Sequence, residues 1–168
     1  MDDCDTETDR AASTVRSFRF RVSFDWGENR LADTLCAFNM TRRSFLGLRV
    51  SKADTLFARL RGLLGRTHLA SDEGVWMVPS RGIHTVGLLF PTDVVFLDVD
   101  SIVVHVIEHL SPFRISAVKI KAHSVLELPI RTVYSSRTQV GDRVVVCTAE
   151  ELQMRLDNKQ MTATAATR

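Results

Sequence analysis

The sequence predicts an α+β fold in which one main helix packs against a mainly antiparallel, partly closed β-sheet or barrel. Three observations predict it. Short segments rich in Val, Ile, Leu and Phe recur between turns that contain Gly, Pro or Asp. Only residues 54–64 repeat apolar side chains at helical spacing over several turns. Many short strands with close turns are typical of a curled sheet, whose remaining apolar face the helix would cover.

The first part of the chain, residues 1–44, is predicted to be a poorly ordered or accessory extension. Residues 1–16 are polar and lack periodicity, which is typical of disorder. Residues 31–38 have only a weak helical pattern. Met40 is a second candidate start codon. The sequence therefore leaves open whether residues 1–39 belong to the protein or result from a misplaced start.

A single β-rich domain is predicted over residues 45–157, beginning with a short strand at 46–51. Asp54 is a good N-cap for the main helix, because its side-chain oxygen accepts a hydrogen bond from an amide of the first turn. Gly65 is well placed to end that predicted helix in a left-handed conformation. The later apolar segments predict strands at 75–78, 83–89, 93–98, 102–110, 124–129 and 143–147.

Turn residues separate these strands. A tight turn at 99–101 joins two of them into a hairpin, and residues 132–140 are predicted to be irregular or to form one helical turn. A short helix is predicted over 150–156, with Thr148 as its cap. The Thr- and Ala-rich residues 158–168 are predicted to be a disordered tail.

Composition excludes several classes of function. The net charge of +2 is small and the bases are scattered, so nucleic-acid binding is not predicted. Cys4, Cys36 and Cys147 are far apart in the sequence and form no C-x-x-C motif, so neither a thiolate metal site nor a disulfide framework is predicted. This cysteine usage indicates a reducing, cytoplasmic compartment. No apolar run reaches the ~20 residues needed to span a bilayer. Residues 41–46 look like a twin-arginine signal but lack the apolar run that should follow.

An ordered series of short motifs links much of the chain to a known family. The motifs are Arg-Gly-Leu-Leu-Gly-Arg at 61–66, Ile-His-Thr at 83–85, Phe-Pro-Thr-Asp followed by an apolar strand at 90–98, Leu-Glu-Leu-Pro at 126–129 and Gly-Asp at 141–142. Over residues 50–146 the sequence resembles the prokaryotic domain of unknown function 192 family. That resemblance implies a small β-rich α+β domain whose biochemical role is not established, and it implies no reaction or cofactor.

The chain departs from the family pattern at several positions, so it reads as a divergent member. Similar proteins usually have Cys where this chain has Ser80, Arg where it has Leu89, and Ile where it has Thr92. They usually have Ala-Gly where residues 130–131 are Ile-Arg. The sequence leaves open whether the family's Cys and Arg are dispensable or whether their loss abolishes function.

The central stretch 83–98 contains the candidate functional residues. His84 lies in an apolar segment, where it is either a hydrogen-bonded core residue or a group that binds or shuttles a proton near neutral pH. Thr85 would point to the opposite face of a regular strand. Asp93 is costly to bury unless paired, so it either accepts backbone amides at a bend or pairs with Arg66 or His84.

Three other carboxylates have simpler interpretations. Glu127 lies between Leu126 and Leu128 and is predicted to be exposed, with a position inside a cleft as the alternative. Asp98 and Asp142 are predicted to be turn residues. A zinc site built from His84, Asp93 and Glu127 is geometrically conceivable, but the spacing does not demand it, so no metal or cofactor is predicted.

The leading hypothesis is a non-catalytic accessory or binding module that has no nucleic-acid or membrane partner. A small concave site lined by His84, Phe90, Asp93 and Arg66 would hold a small polar ligand or a peptide segment. The alternative is a hydrolase-type enzyme in which His84 is the general base and Asp93 orients it. A third interpretation is a purely structural partner protein whose 18–24 strand pairs with another chain. The sequence does not decide whether the protein is an enzyme, what it binds or its oligomeric state.

Overall fold

The structure of this chain is a computed structural model that describes residues 34–53 and 67–165, with side chains described as far as residue 158. Several predicted features lie outside the described residues. They are the disorder predicted at 1–16, the strand at 18–24, the main helix at 54–64 and the candidate ligand residue Arg66.

The described residues form seven strands and two helices. The strands are β1 (Leu35–Asn39), β2 (Ser44–Ala53), β3 (Glu73–Met77), β4 (Thr92–Leu97), β5 (Val103–Leu110), β6 (Ser124–Pro129) and β7 (Val144–Thr148). The helices are α1 (Thr132–Ser136) and α2 (Ala149–Ala165). All strands belong to one sheet in the order β5-β4-β6-β3-β2-β1-β7, in which only β2 and β3 pair in parallel.

The two outer strands of the sheet approach each other at one end. Ile102, just before β5, forms an isolated bridge with Arg143, just before β7. The amide of Val103 donates to the carbonyl of Asp142 at 2.8 Å, and the amide of Val144 donates to the carbonyl of Ser101 at 2.9 Å. The sheet therefore curls into a half-barrel, which confirms the predicted mainly antiparallel, partly closed architecture.

The core lies on both faces of the central strands β4 and β6. Val94 and Phe96 pack in one apolar cluster with Val125, while Val95 and Leu97 pack in a second cluster. Because successive side chains of a strand point to opposite faces, this division shows that both faces of β4 are covered. Residues 94–97 of β4 are all apolar because both faces of this strand are buried.

Three elements differ from the sequence prediction. Residues 83–89 are not a strand: only His84 forms a bridge, and Gly87 turns the chain with a φ of 92°. The weakly helical segment 31–38 contains β1 instead, which pairs with both β2 and β7, so the sheet begins before residue 45. Helix α2 runs to Ala165, into the predicted tail, because no Gly or Pro follows residue 156 to end it.

The start of α2 is as predicted. The Thr148 hydroxyl accepts a hydrogen bond from the Glu151 amide at 3.2 Å, and the Glu151 carboxylate accepts one from the Thr148 amide at 3.3 Å. These reciprocal bonds form a capping box, which satisfies two backbone donors at the helix start. The predicted turn at 99–101 is also present, since Asp98 Oδ1 accepts the amides of Asp100 and Ile102 at 2.9 and 2.8 Å.

Candidate functional site

Two loops lie side by side at one end of the sheet: the first is residues 79–91 and the second is residues 111–123. We call the surface they form the paired-loop surface. Backbone hydrogen bonds join residues 80–85 of the first loop to residues 113–123 of the second. These bonds run from Thr85 N to Arg114 O (2.8 Å), from Phe113 N to Thr85 O (3.0 Å), from Ser116 N to Ile83 O (2.8 Å) and from Lys119 N to Arg81 O (2.8 Å). The two loops are thus one backbone-braced unit.

Thr85 is the residue that ties the two loops together most completely. It is fully buried, and its hydroxyl donates to the Ser111 carbonyl at 2.8 Å and accepts from the Arg114 amide at 2.9 Å. Ser116 adds a second link, since its hydroxyl accepts from the Ile83 amide at 3.0 Å. The sequence does not predict this role. Its one signal is a hydroxyl residue in a largely apolar segment.

His84 and Thr85 do face opposite ways. His84 is exposed, and its backbone forms the bridge to Ile115 of the second loop. Buried Thr85 next to exposed His84 is the alternation that extended backbone imposes, even though no regular strand forms here. His84 therefore belongs to the paired-loop surface.

Asp93 lies in the core, only 1% exposed. Its Oδ1 accepts the His109 amide at 3.0 Å at the end of β5, and its Oδ2 accepts the Val133 amide at 3.0 Å in the first turn of α1. Arg131, at the N-cap of α1, makes no side-chain capping bond. Asp93 of β4 instead accepts the hydrogen bond from an amide of the first turn. These are the backbone contacts that the capping alternative predicts.

Of the predicted ligand-site residues that the structure describes, Phe90 and Asp93 are buried whereas His84 is exposed. No hydrogen bond or ion pair joins His84 to Asp93, both of which the structure describes, and both Asp93 oxygens already accept backbone amides. Phe90 is buried in the core with Val94 and Phe96. Arg66 lies outside the described residues. The concave site that would combine them therefore stays a prediction.

The prediction that Glu127 is exposed was wrong. Glu127 is 3% exposed and accepts a hydrogen bond from the Thr92 hydroxyl at 3.0 Å. Strand β6 lies between β3 and β4 in a sheet covered on both faces, so residues on either side of it are buried. A polar side chain there needs a hydrogen-bonding partner, which Thr92 supplies.

Asp142 closes the turn before β7, as predicted. It is buried, and its carboxylate accepts hydrogen bonds from Asn39 Nδ2 (3.0 Å), the Gln139 amide (2.9 Å) and Arg42 Nε (3.0 Å). Burial by itself would raise the pKa of this carboxyl, but the bonds from Asn39 and Arg42 outweigh it and hold the pKa below its ordinary value. This cluster fastens the turn to the end of β1.

The paired-loop surface exposes large apolar side chains. They are 49–82% exposed: Val86, Leu89, Phe113, Ile115, Val118 and Ile120. The exposed basic residues Arg81, Arg114 and Lys121 belong to the same two loops, and neither loop contains an Asp or a Glu. On the neighbouring strand β5, burial and the charge of Lys119 lower the pKa of His105. The sequence did not predict this mixed apolar and basic surface, which the structure reveals as a candidate site.

A family model, DUF192, described as "Uncharacterized ACR", matches residues 38–146. The chain belongs to the DUF192 family. Two solved structures are similar to it. One is a protein of unknown function from Novosphingobium aromaticivorans, with a TM-score of 0.57 and 20% identity over 67% of this chain and 83% of that one. The other, from Sinorhizobium meliloti, is described as a "putative transcription regulator" and has a TM-score of 0.55 and 21% identity over 67% of this chain and 91% of that one.

At these identities the two solved structures show the fold alone. No curated protein sequence is significantly similar to the chain. Within the residues that the structure describes, no helix is long and apolar enough to cross a membrane.

Two of the departures from the usual DUF192 pattern lie on the paired loops. Ser80, at the usual Cys position, donates its hydroxyl to the Gly82 carbonyl at 2.8 Å and its amide to the His123 carbonyl at 2.8 Å. It therefore stabilises the start of the first loop. Leu89, at the usual Arg position, is 63% exposed and enlarges the apolar part of the surface.

Metal and thiol chemistry have little support in this DUF192 domain. Across 34–53 and 67–158, no group of three or more His, Cys, Asp or Glu side chains is arranged to hold a metal ion. Cys36 and Cys147 are buried free thiols that lie opposite each other on β1 and β7. Burial raises the pKa of Cys36 to about 11 and also raises that of Cys147. Neither thiol has the lowered pKa of a reactive cysteine.

Proposed function

We propose that this DUF192 protein is a non-catalytic binding module that holds a peptide segment of another protein on the paired-loop surface. The observation that carries the proposal is the group of exposed apolar side chains on two loops that are hydrogen-bonded to each other. Single exposed apolar residues are ordinary, but a contiguous group of them is typical of an interaction surface. A partner that covers them gains about 25 cal/mol for each Å² of apolar surface removed from water.

The bracing of the loops supports a specific binding surface. Their exposed side chains stand on backbone that is anchored below by Ile83, Leu88 and Ala122, all of which are buried in the core. Binding to a pre-formed surface avoids much of the entropic cost of ordering a loop. A flexible pair of loops would have no such advantage. A cytoplasmic location remains part of the proposal, because the buried thiols fit a reducing compartment.

The alternative, a hydrolase with His84 as general base, has weaker support. A general base needs a partner that orients it, and the candidate orienting residue was Asp93. Because Asp93 is buried and bonded to two backbone amides, it is not free for that role in this structure. His84 is better regarded as part of the exposed binding surface.

Site-specific photo-cross-linking tests the proposal. A photoreactive amino acid replaces Val118 on the second loop in one variant of the full chain and Val140 in another. The two valines are matched, being 68% and 64% exposed, but Val140 lies in the turn before β7. In cells of the native host, we expect position 118 to form a cross-link to one protein, identified by mass spectrometry, that position 140 does not form. Equal products at both positions, or none at position 118, would refute the proposal.

A further inference from the structure

The two loops have a strongly one-sided charge. The whole chain is nearly balanced, with 22 Lys and Arg and 20 Asp and Glu. In contrast, the two loops, 79–91 and 111–123, contain Arg81, Arg114, Lys119 and Lys121 and no carboxylate. Among the residues that the structure describes, none of these four bases takes part in an ion pair, whereas Arg42 and Arg49 do. The paired-loop surface thus has cationic side chains that no acid within it neutralises.

The bases alternate with the apolar side chains along the second loop. Arg114 lies between Phe113 and Ile115, and Lys119 lies between Val118 and Ile120. The hydrogen bond from the Lys119 amide to the Arg81 carbonyl joins the backbones of two basic residues, one from each loop. An interface usually has apolar anchors at its centre and polar groups at its rim, and here both kinds of group are present on one braced surface.

We propose that the peptide segment bound by the paired-loop surface is acidic, with Asp or Glu interspersed among apolar anchor residues. This inference rests on the proposed function and specifies the chemistry of its partner. The apolar anchors cover Ile115, Val118 and Ile120, and the carboxylates pair with Arg114, Lys119 and Lys121. Electrostatic complementarity of this kind selects among partners and accelerates their encounter.

Other anionic partners fit the surface less well. Proteins bind nucleic acid mainly through contacts between Lys or Arg side chains and phosphate groups. Such a partner would not cover the exposed Ile and Val side chains. A lipid surface is best met by a continuous apolar face that inserts beneath the headgroups. Here charged side chains interrupt the apolar ones at 113–115 and again at 118–121. An acidic peptide with apolar anchors matches both kinds of side chain.

Fluorescence anisotropy on the full chain tests this inference. The probe is a short labelled peptide that alternates Glu with Leu and Phe. Its counterparts carry Gln or Lys in place of Glu. The charge variant is Lys119→Glu with Lys121→Glu, and the apolar variant is Val118→Ser with Ile120→Ser. The control is Arg143→Glu with Arg155→Glu, two exposed bases away from the loops that change the net charge equally. Thermal unfolding confirms that each variant is folded.

We expect the Glu peptide to bind, the Gln peptide to bind more weakly and the Lys peptide not to bind. The charge variant should weaken binding of the Glu peptide by roughly tenfold, while the control variant changes it little. Binding should also weaken as salt is raised, because salt screens exposed charges.

The opposing outcomes separate the two proposals. If all three peptides bind alike and only the apolar variant weakens them, the acidic preference is refuted and the binding function stands. If none of the peptides binds, or if the apolar variant has no effect, both fail. If phosphatidylserine vesicles or duplex DNA displace the Glu peptide as effectively as unlabelled peptide does, the surface recognises negative charge alone and the inference is refuted.

Discussion

The Asp93 carboxylate on β4 accepts the backbone amide of Val133 at 3.0 Å and so supplies the cap of α1 from forty residues earlier in the chain. Its other oxygen accepts the His109 amide at 3.0 Å, which fastens the end of β5 to the same side chain. One buried carboxylate therefore joins a strand end and a helix start that have no other direct bond to each other here. Asp93 therefore links β4 to both β5 and α1.

Replacing Asp93 with Asn should destabilise the fold without affecting the paired-loop surface. The amide group presents one donor to a site that holds two backbone donors, so one buried N–H loses its acceptor at a cost of about 1–3 kcal/mol. Urea unfolding measures the loss. Asp100→Asn, in the exposed β4–β5 turn, is the matched control and should change the free energy of unfolding by less than about 0.5 kcal/mol. Equal effects of the two substitutions would show that the Asp93 bonds contribute nothing.

Replacing Thr85 with Val should loosen the paired loops. Valine keeps the shape of the side chain but removes the hydroxyl, which leaves the Arg114 amide and the Ser111 carbonyl without that partner. We expect a loss of about 1–3 kcal/mol in the free energy of unfolding and faster hydrogen exchange confined to 111–116. Exposed Thr67→Val is the control. Unchanged exchange in the second loop would contradict the assigned role of Thr85.

The Asp142 cluster should make stability dependent on acidic pH. The pKa of Asp142 is lowered in the folded state, so its ionised form stabilises the fold above the ordinary Asp pKa of about 4. That stabilisation is lost as the pH falls through the lowered folded-state pKa. Wild type should therefore exceed Asp142→Asn in stability at neutral pH, and the difference should shrink below about pH 4. Urea unfolding over a pH series checks this, and a difference that is constant with pH would refute it.

The buried thiols should be unreactive while the protein is folded. In a Cys4→Ser background, Cys36 and Cys147 are the remaining cysteines, and both have raised pKa values because of burial. Because the thiolate is the reacting form, we expect slow modification by an aromatic disulfide reagent near neutral pH and rapid modification of both after unfolding in urea. Prompt reaction of either thiol in the folded protein would show that the β1–β7 edge opens readily.

The local elements were predictable where the signal was local. Strand β6 lies at 124–129 as predicted, and β4 lies within a residue of its prediction, because apolar runs bounded by turn residues define them. Strand β1 was not predicted because it forms by pairing with β7, which lies more than a hundred residues away in the sequence. The 83–89 segment was predicted as a strand because its apolar pattern does not reveal the turn at Gly87.

The candidate site was less predictable for the same reason. The sequence placed His84 and Thr85 on opposite faces, because that alternation is intrinsic to extended backbone. It could not show that the second loop lies beside them, since residues about thirty positions apart are joined there. Nor could it show that Glu127 is buried, because that depends on the place of β6 within the sheet.

The position of β1 between β2 and β7 has a consequence for how the gene is translated. Strand β1 pairs with β2 on one side and β7 on the other, so it joins the last strand to the rest of the sheet. A ribosome that initiated at the Met40 codon would synthesise a polypeptide without Leu35–Asn39. That product would lack the neighbour that β7 requires and could not complete this fold. Codons upstream of Met40, at least as far as Leu35, therefore encode part of the structural domain.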